Sequence, residues 1–237
     1  MQFSRVSLTL LAALPAVAAL LAGCQDGPIP ENRVLNPWVR EQWAEDEKFG
    51  PTYHKRMEEL AAIRGRGTSL RESERERLAQ EIFDVFREEP SSAMRSELAR
   101  TLAYLPCPAA QRGLGAALVD DDSDVRIAAC QGLGRLRNEE SLALLAKTVE
   151  SDEQLDVRMA AVRGLGSYQD PSALAALGVA LEDANPAIQK AAIDSLAAST
   201  GRDYGNSVPA WKEYLAGGNP TKPPGPTLAE RVGWPWR

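Results

Sequence analysis

Three cysteines, one histidine and two arginines that return at the same place in a repeated phrase are the residues of this 237-residue chain whose types and spacing invite chemistry. Cys24 ends an apolar run and offers a thiol for acylation. Cys107 and Cys130 are a disulfide candidate if the chain reaches an oxidising compartment. Against that bridge, Cys107 sits in a Pro106-Cys107-Pro108 turn, and Cys130 takes the place that Val162 and Ile193 hold in later copies, where a small apolar side chain suffices. With Cys24 assigned to acylation, Cys107, Cys130 and His54 are too few for the usual four-ligand zinc site, so no metal is expected. His54, between Tyr53 and Lys55, has no companion histidine and reads as a helix-surface residue, so no nucleophile, base and orienting group can be assembled. With no convincing strand, there is no glycine-rich phosphate loop either. The expectation is a non-enzyme that uses no cofactor.

The segment leading to Cys24 has the order of a processing signal. Arg5 supplies a positive start, residues 8–21 are an uncharged Leu/Ala stretch too short for a comfortable membrane span, and Leu21-Ala22-Gly23-Cys24 closes it. That ending resembles the lipobox of bacterial lipoproteins. The resemblance implies removal of residues 1–23 as a signal peptide and lipidation of the Cys24 sulfur. A plain secretory signal with an accidental cysteine, or an uncleaved anchor, is the competing reading. Two or more acyl chains anchor stably where one binds only marginally, so the mature protein is expected on a membrane of the bacterial cell envelope. Gln25, in place of aspartate after the cysteine, favours the outer membrane over the inner by analogy with enterobacterial sorting.

Charge narrows the partners. Loss of residues 1–23 deletes Arg5 alone among the charges, taking 27 basic side chains to 26 against 33 acidic ones and the formal charge from −6 to −7. That sign disfavours nucleic acid and anionic lipid headgroups as broad electrostatic partners.

The elements that must carry these residues are helical. Residues 24–35 have the Pro, Gly and polar content of a tether. Residues 36–72 read as an N-terminal helical segment. In it, Asn36-Pro37 resembles a cap followed by a first-turn proline, ahead of an acidic stretch with Trp38 and Trp43. A helix is predicted over 53–63, then a break at Arg64-Gly65-Arg66-Gly67, then a capping box of Ser69 and Glu72. Repeats occupy 73–199. Residues 200–216 hold a capping helix bearing Trp211 and Tyr214, and 217–237 form a Gly/Pro-rich tail ending in Trp234-Pro235-Trp236. The tryptophan pairs at the two ends either cap the stack or dock a partner.

The repeats are found by self-similarity. The phrase Asp124-Val125-Arg126-Ile127-Ala128-Ala129-Cys130-Gln131-Gly132-Leu133-Gly134 returns as Asp156-Val157-Arg158-Met159-Ala160-Ala161-Val162-Arg163-Gly164-Leu165-Gly166. A third copy follows Asn185-Pro186 at Ile188 to Ala197, and a weaker one runs from Met94 to Ala103. Val125, Ala128, Ala129, Gly132, Leu133 and Leu136 fall on one face of a helix, and another short apolar helix precedes each copy. Each repeat is therefore a helical hairpin that must stack on its neighbours to cover its apolar face.

The phrase Val-Arg-x-Ala-Ala-x-x-Gly-Leu-Gly resembles the bacterial HEAT repeat of the type named after phycobilin lyases, over roughly residues 82–215. The resemblance implies an all-α fold, a short α-solenoid of about four hairpins flanked by N-terminal helices and a C-terminal capping helix. It also implies that Arg126 and Arg158 are structural, bonding an acidic residue or a helix end in the adjoining repeat. Glu97 and Gln189 depart from the phrase, as terminal repeats often do. Away from the core face, at 100° per residue, Ser96, Ile127, Met159 and Lys190 make one row, and Arg100, Gln131, Arg163 and Asp194 make the next. These eight are the candidate binding surface, on the second helices that line the concave side of a solenoid. A merely solvated face is the alternative, because the rows mix charge signs.

The resulting functional expectation is a membrane-anchored module that binds or scaffolds a protein partner of the envelope and does no chemistry. Two other readings remain open: chromophore attachment or chaperone-lyase action like that of the repeat's namesakes, and a purely structural envelope component.

Overall fold

Helices begin where the sequence offers caps. The computed structural model describes residues 50–222 and 224, which hold ten α-helices. They are α1 (Tyr53–Arg66), α2 (Glu72–Glu88), α3 (Ser92–Leu102), α4 (Pro108–Ala117), α5 (Ser123–Leu136), α6 (Glu139–Ser151), α7 (Leu155–Leu165), α8 (Pro171–Ala180), α9 (Pro186–Thr200) and α10 (Val208–Leu215). Side chains of Asp122, Asn138, Asp170 and Asn185 accept the Asp124, Ser141, Ser172 and Ala187 N–H groups at 2.8, 2.8, 2.7 and 2.9 Å. Each satisfies a donor that the first turn leaves without a partner. Pro108, Pro171 and Pro186 stand in first turns, where a missing N–H costs nothing. The α4 start has no cap of its own, and the Glu76 carboxylate of α2 accepts the Ala109 N–H there at 3.0 Å.

The chain divides into two units, Met1–Arg56 and Met57–Arg237. In the first, residues 50–56 are described, and Thr52 Oγ1 accepts the Lys55 N–H at 3.3 Å. The second unit carries the repeats. Its hairpins are α2/α3, α4/α5, α6/α7 and α8/α9, with α10 against α8 and α9. The second helices α3, α5, α7 and α9 pack in sequence as one layer, and the first helices lie in the other. A single apolar core runs between them, from Leu60 and Ile82 to Leu196 and Trp211. Four hairpins and a capping helix agree with the expected solenoid.

Small residues set the spacing of the second-helix layer. A Cβ built on Gly134 would lie 2.8 Å from Gly164 Cα, one on Gly166 would lie 2.8 Å from Ser195 Cβ, and one on Gly132 would lie 3.3 Å from Ala103 Cβ. The two glycines of Gly-Leu-Gly thus have separate tasks. The first meets the preceding repeat, the second meets the following one, and the leucine between them, Leu133 or Leu165, is fully buried.

The far end is closed by aromatic packing. Trp211 is fully buried, donates from Nε1 to the Gly205 carbonyl at 3.1 Å, and meets Tyr204 edge-on with centroids 5.0 Å apart. At the near end the helix predicted over 53–63 runs on through Arg66, and the Ser69/Glu72 capping box does not form. Gly67–Ser69 is a turn of 3₁₀ helix whose Ser69 hydroxyl donates to the Arg66 carbonyl at 2.7 Å, so α2 starts after an uncapped Arg71. The lipobox with Cys24, the Asn36-Pro37 start, Trp38, Trp43, Trp234 and Trp236 lie outside the described residues. Among the described residues, no helix is long and apolar enough to cross a membrane.

Two glycine substitutions separate the seam from helix propensity. Gly134→Ala must push a Cβ into the Gly164 backbone and is expected to destabilise by about 1–2 kcal/mol net of the propensity gain. Gly65→Ala, with nothing within 4 Å, is expected to stabilise by about 0.5–1 kcal/mol. Urea unfolding of the two variants checks both signs.

Candidate binding surface

The recurring arginines form a continuous ladder. Arg126 of α5 donates from Nε and Nη2 to the Asp152 carboxylate at 2.8 and 3.2 Å, and from Nη1 to the Asp120 and Asp121 carbonyls at 2.9 and 3.2 Å. Arg158 of α7 donates to the Asp152 and Glu153 carbonyls at 3.0 and 3.4 Å and lies 3.9 Å from the Asp183 carboxylate. Each guanidinium therefore holds its own hairpin's loop and reaches the carboxylate of the next. Arg95 of α3 does the same, with Asp120 at 2.7 and 2.8 Å and the Glu89 and Pro90 carbonyls at 3.2 and 3.1 Å. The series ends at Gln189, which keeps only the loop contact, to the Asp183 carbonyl at 2.9 Å.

The acidic partners are also turn residues. Asp120, Asp152 and Asp183 accept the N–H groups of Asp122, Gln154 and Asn185 at 2.9, 2.9 and 2.7 Å, and Glu89 accepts that of Ser91 at 3.0 Å. Burial alone would raise the Asp120 carboxyl, but the Arg95 guanidinium and the Asp122 N–H hold it below the ordinary aspartate value. Hydrogen bonds to Asp120 and Asp152 raise Arg95 and Arg126, respectively, above the usual guanidinium value.

Two open grooves run along the other side of the second helices. One, of about 470 Å³ between α5 and α7, is lined by Ile127, Gln131, Arg135, Arg137, Met159 and Arg163, with Gly134 and Gly164 in its floor. The second, of about 380 Å³ between α3 and α5, is lined by Arg64, Glu97, Arg100, Tyr104, Gln131 and Arg135. Gln131 and Arg135 of α5 border both, so the grooves are neighbours on either side of that helix. Glu97, at the register of Ala128 and Ala160, is bonded by Arg64 at 3.0 Å and by Arg100 at 2.5 Å. The Arg135 guanidinium stacks 4.2 Å from the Tyr104 ring centroid.

The structure brings together five of the eight candidate surface residues: Ile127, Gln131, Met159, Arg163 and Arg100. Ser96 is a correction. It is 4% exposed and so is not part of the open surface, while Glu97 and Thr101 Oγ1 on the same helix accept bonds from Arg64 of α1 at 3.0 and 3.1 Å. Lys190 and Asp194 lie exposed on α9 and form an ion pair with each other. Cys107 and Cys130 are separate thiols. Cys107 Sγ faces the Arg75 carbonyl on α2, and Cys130 Sγ faces the Val157 carbonyl on α7. Burial pushes the Cys130 thiol up to about 12 and raises Cys107 as well, so neither is poised as a thiolate. His54 lies in the first turn of α1. Among the described residues, no group of three or more His, Cys, Asp or Glu is placed to hold a metal ion.

A sequence profile described as HEAT repeats matches residues 79–161 and 145–210, which together cover more than half of the chain. The chain belongs to the HEAT-repeat family. No curated protein matches it. Among solved structures it is similar to human deoxyhypusine hydroxylase in complex with glycerol, with a TM-score of 0.48 and 20% identity over 52% of this chain and 44% of that one. The chain thus spans less than half of that protein's length, and the likeness carries no argument about activity. What these HEAT repeats form is a helical scaffold.

Several groove and ladder residues escaped the sequence reading. Arg95 lies 31 positions before Arg126, and Asp120 and Asp152 precede successive second helices by the same few residues, so both were visible in the register. Arg135 follows Gln131 by one helical turn and extends the outer row. Removing one member of the ladder strands its partner: Arg126→Ala is expected to cost about 2–4 kcal/mol in urea unfolding, since the Arg126 and Asp152 side chains are only 14% and 10% exposed. Asp120 adds an acid sensitivity. Its folded pKa lies below the ordinary value of 3.8, so its contribution is complete above that pH and drains away as pH falls below it. Asp120→Asn should flatten that part of a stability-against-pH curve.

Proposed function

We propose that this HEAT-repeat scaffold is a non-catalytic docking module that receives a protein partner along the neighbouring grooves of α3, α5 and α7. The observation that carries the reading is the gathering of Arg100, Ile127, Gln131, Met159 and Arg163 around two adjacent, open depressions. In the same proposal, residues 1–24 deliver the module to the bacterial envelope and the lipidated Cys24 holds it on a membrane, the outer one favoured by Gln25. Support for that part is the order of Arg5, the apolar run and Leu21-Ala22-Gly23-Cys24. A purely structural role is the second reading. It draws on the last repeat, whose row is closed by the Lys190–Asp194 pair.

Placement of a photocrosslinking residue tests the main reading. In intact cells, a probe at Met159 or Gln131 is expected to trap a discrete partner, and one at Val119, 82% exposed in the turn between α4 and α5, is not. Equal trapping from both positions, or none from either, would leave the structural reading standing. Labelled palmitate is expected to enter the wild-type protein and not Cys24→Ala.

A further inference from the structure

The two grooves are basic in a chain that is acidic. Their lining holds five arginines, Arg64, Arg100, Arg135, Arg137 and Arg163, against the carboxylates of Glu97 and Asp156, while the whole chain carries a formal −6. Glu97 is already shared by Arg64 and Arg100. Arg135, Arg137 and Arg163 have no ion pair among the described residues, and all three are exposed around the α5/α7 groove. By contrast, the ladder arginines Arg95, Arg126 and Arg158 each face a carboxylate of the next loop. Three exposed guanidiniums around one depression, one of them stacked on Tyr104 and none in an ion pair among the described residues, outnumber its single carboxylate, Asp156, and mark a place where negative charge from outside the scaffold completes the electrostatics.

The floor between them is not charged. Ile127 and Met159 are half-buried on facing helices, and Gly134, Ala160 and Gly164 leave the depression unfilled. An occupant matching both features carries carboxylates at its edges and a short apolar side chain between them. We infer that the α5/α7 groove binds an acidic peptide segment of a partner protein, with Arg135, Arg137 and Arg163 pairing its carboxylates and Met159 receiving its apolar residue. This rests on the docking reading above and names the chemistry of its ligand. A polymeric phosphate fits less well, since it needs a long cationic track, whereas the cations here span one groove of about 470 Å³ and the remaining surface repels it.

Arg137 adds a conformational observation. It ends α5 in the left-handed region, at φ 54° and ψ 39°, where glycine or asparagine is the ordinary choice. That geometry is retained with a long cationic side chain at the mouth of the groove.

The test is fluorescence-anisotropy titration of the full chain with a labelled peptide that alternates glutamate pairs with single leucines. The same peptide with glutamine for glutamate, and phosphatidylglycerol vesicles, serve as competing probes. The glutamate peptide is expected to bind, to weaken steeply with salt, and to lose about tenfold in affinity with Arg163→Glu or Arg135→Glu, the loss of a charge-assisted bond. Arg163→Lys should retain part of the binding, and Arg202→Glu, outside the groove, all of it. Circular dichroism and an unchanged melting temperature show that the groove variants are folded, as their exposed positions imply. Equal binding of the glutamine peptide, insensitivity to Arg163→Glu, or stronger binding to the vesicles would overturn the inference. So would a failure of the glutamate peptide to bind. Partner trapping from Met159 in cells would survive each of those results, so failure of the acidic chemistry is distinguishable from failure of the docking reading.

Discussion

The arginine–aspartate ladder is the interaction on which the remaining architecture depends. A stack of helical hairpins has no sheet to fix its register, so each repeat must be told where the next one sits. Arg95, Arg126 and Arg158 do this by holding two carbonyls of their own loop while reaching a carboxylate of the following one. Because Asp120, Asp152 and Asp183 also close the turn that starts the next second helix, a shift of one repeat against another would break a cap and an ion pair together. Coupling of this kind makes the stacking discrete.

The ladder sets orientation, and the glycine seam sets distance. Gly134 against Gly164, and Gly166 against Ser195, let the second helices approach more closely than any larger residue permits. The same pair of glycines forms part of the floor of the α5/α7 groove. Where helices meet through hydrogen atoms alone, no side chain fills the cleft above the contact, and the long arginines at its rim stand over an empty depression. The binding surface is in this sense a geometric consequence of tight packing.

The two ends depart from the repeat for physical reasons. At the first repeat, Glu97 replaces an alanine because Arg64 of α1 needs a carboxylate where an earlier repeat would have offered an apolar face. At the last, Gln189 replaces arginine because no further loop carboxylate follows, and Trp211 with Tyr204 and Tyr214 covers the apolar end. Lys212 of α10 adds a 2.8 Å ion pair to Glu182. These substitutions read in the sequence as decay of a motif, and in the fold as its closure.

By itself the sequence determined the helical hairpins, their number and the capping helix, while the structural role of Arg126 and Arg158 came only from the resemblance to HEAT repeats. The helical elements rest on local periodicity, on caps such as Asp122 and Asn185, and on repetition of one phrase at a fixed offset. Only the tertiary structure decided what lies across from what. Helical periodicity put Ser96 in line with Ile127 and Met159, but it carries no information about what covers a position, and Ser96 is buried. It likewise put Lys190 and Asp194 on the surface without separating an ion pair that neutralises itself from groove arginines such as Arg163 that make none among the described residues. Direction within a helix is a property of the chain; occupancy of the space beyond it is a property of the neighbours that the ladder brings into place.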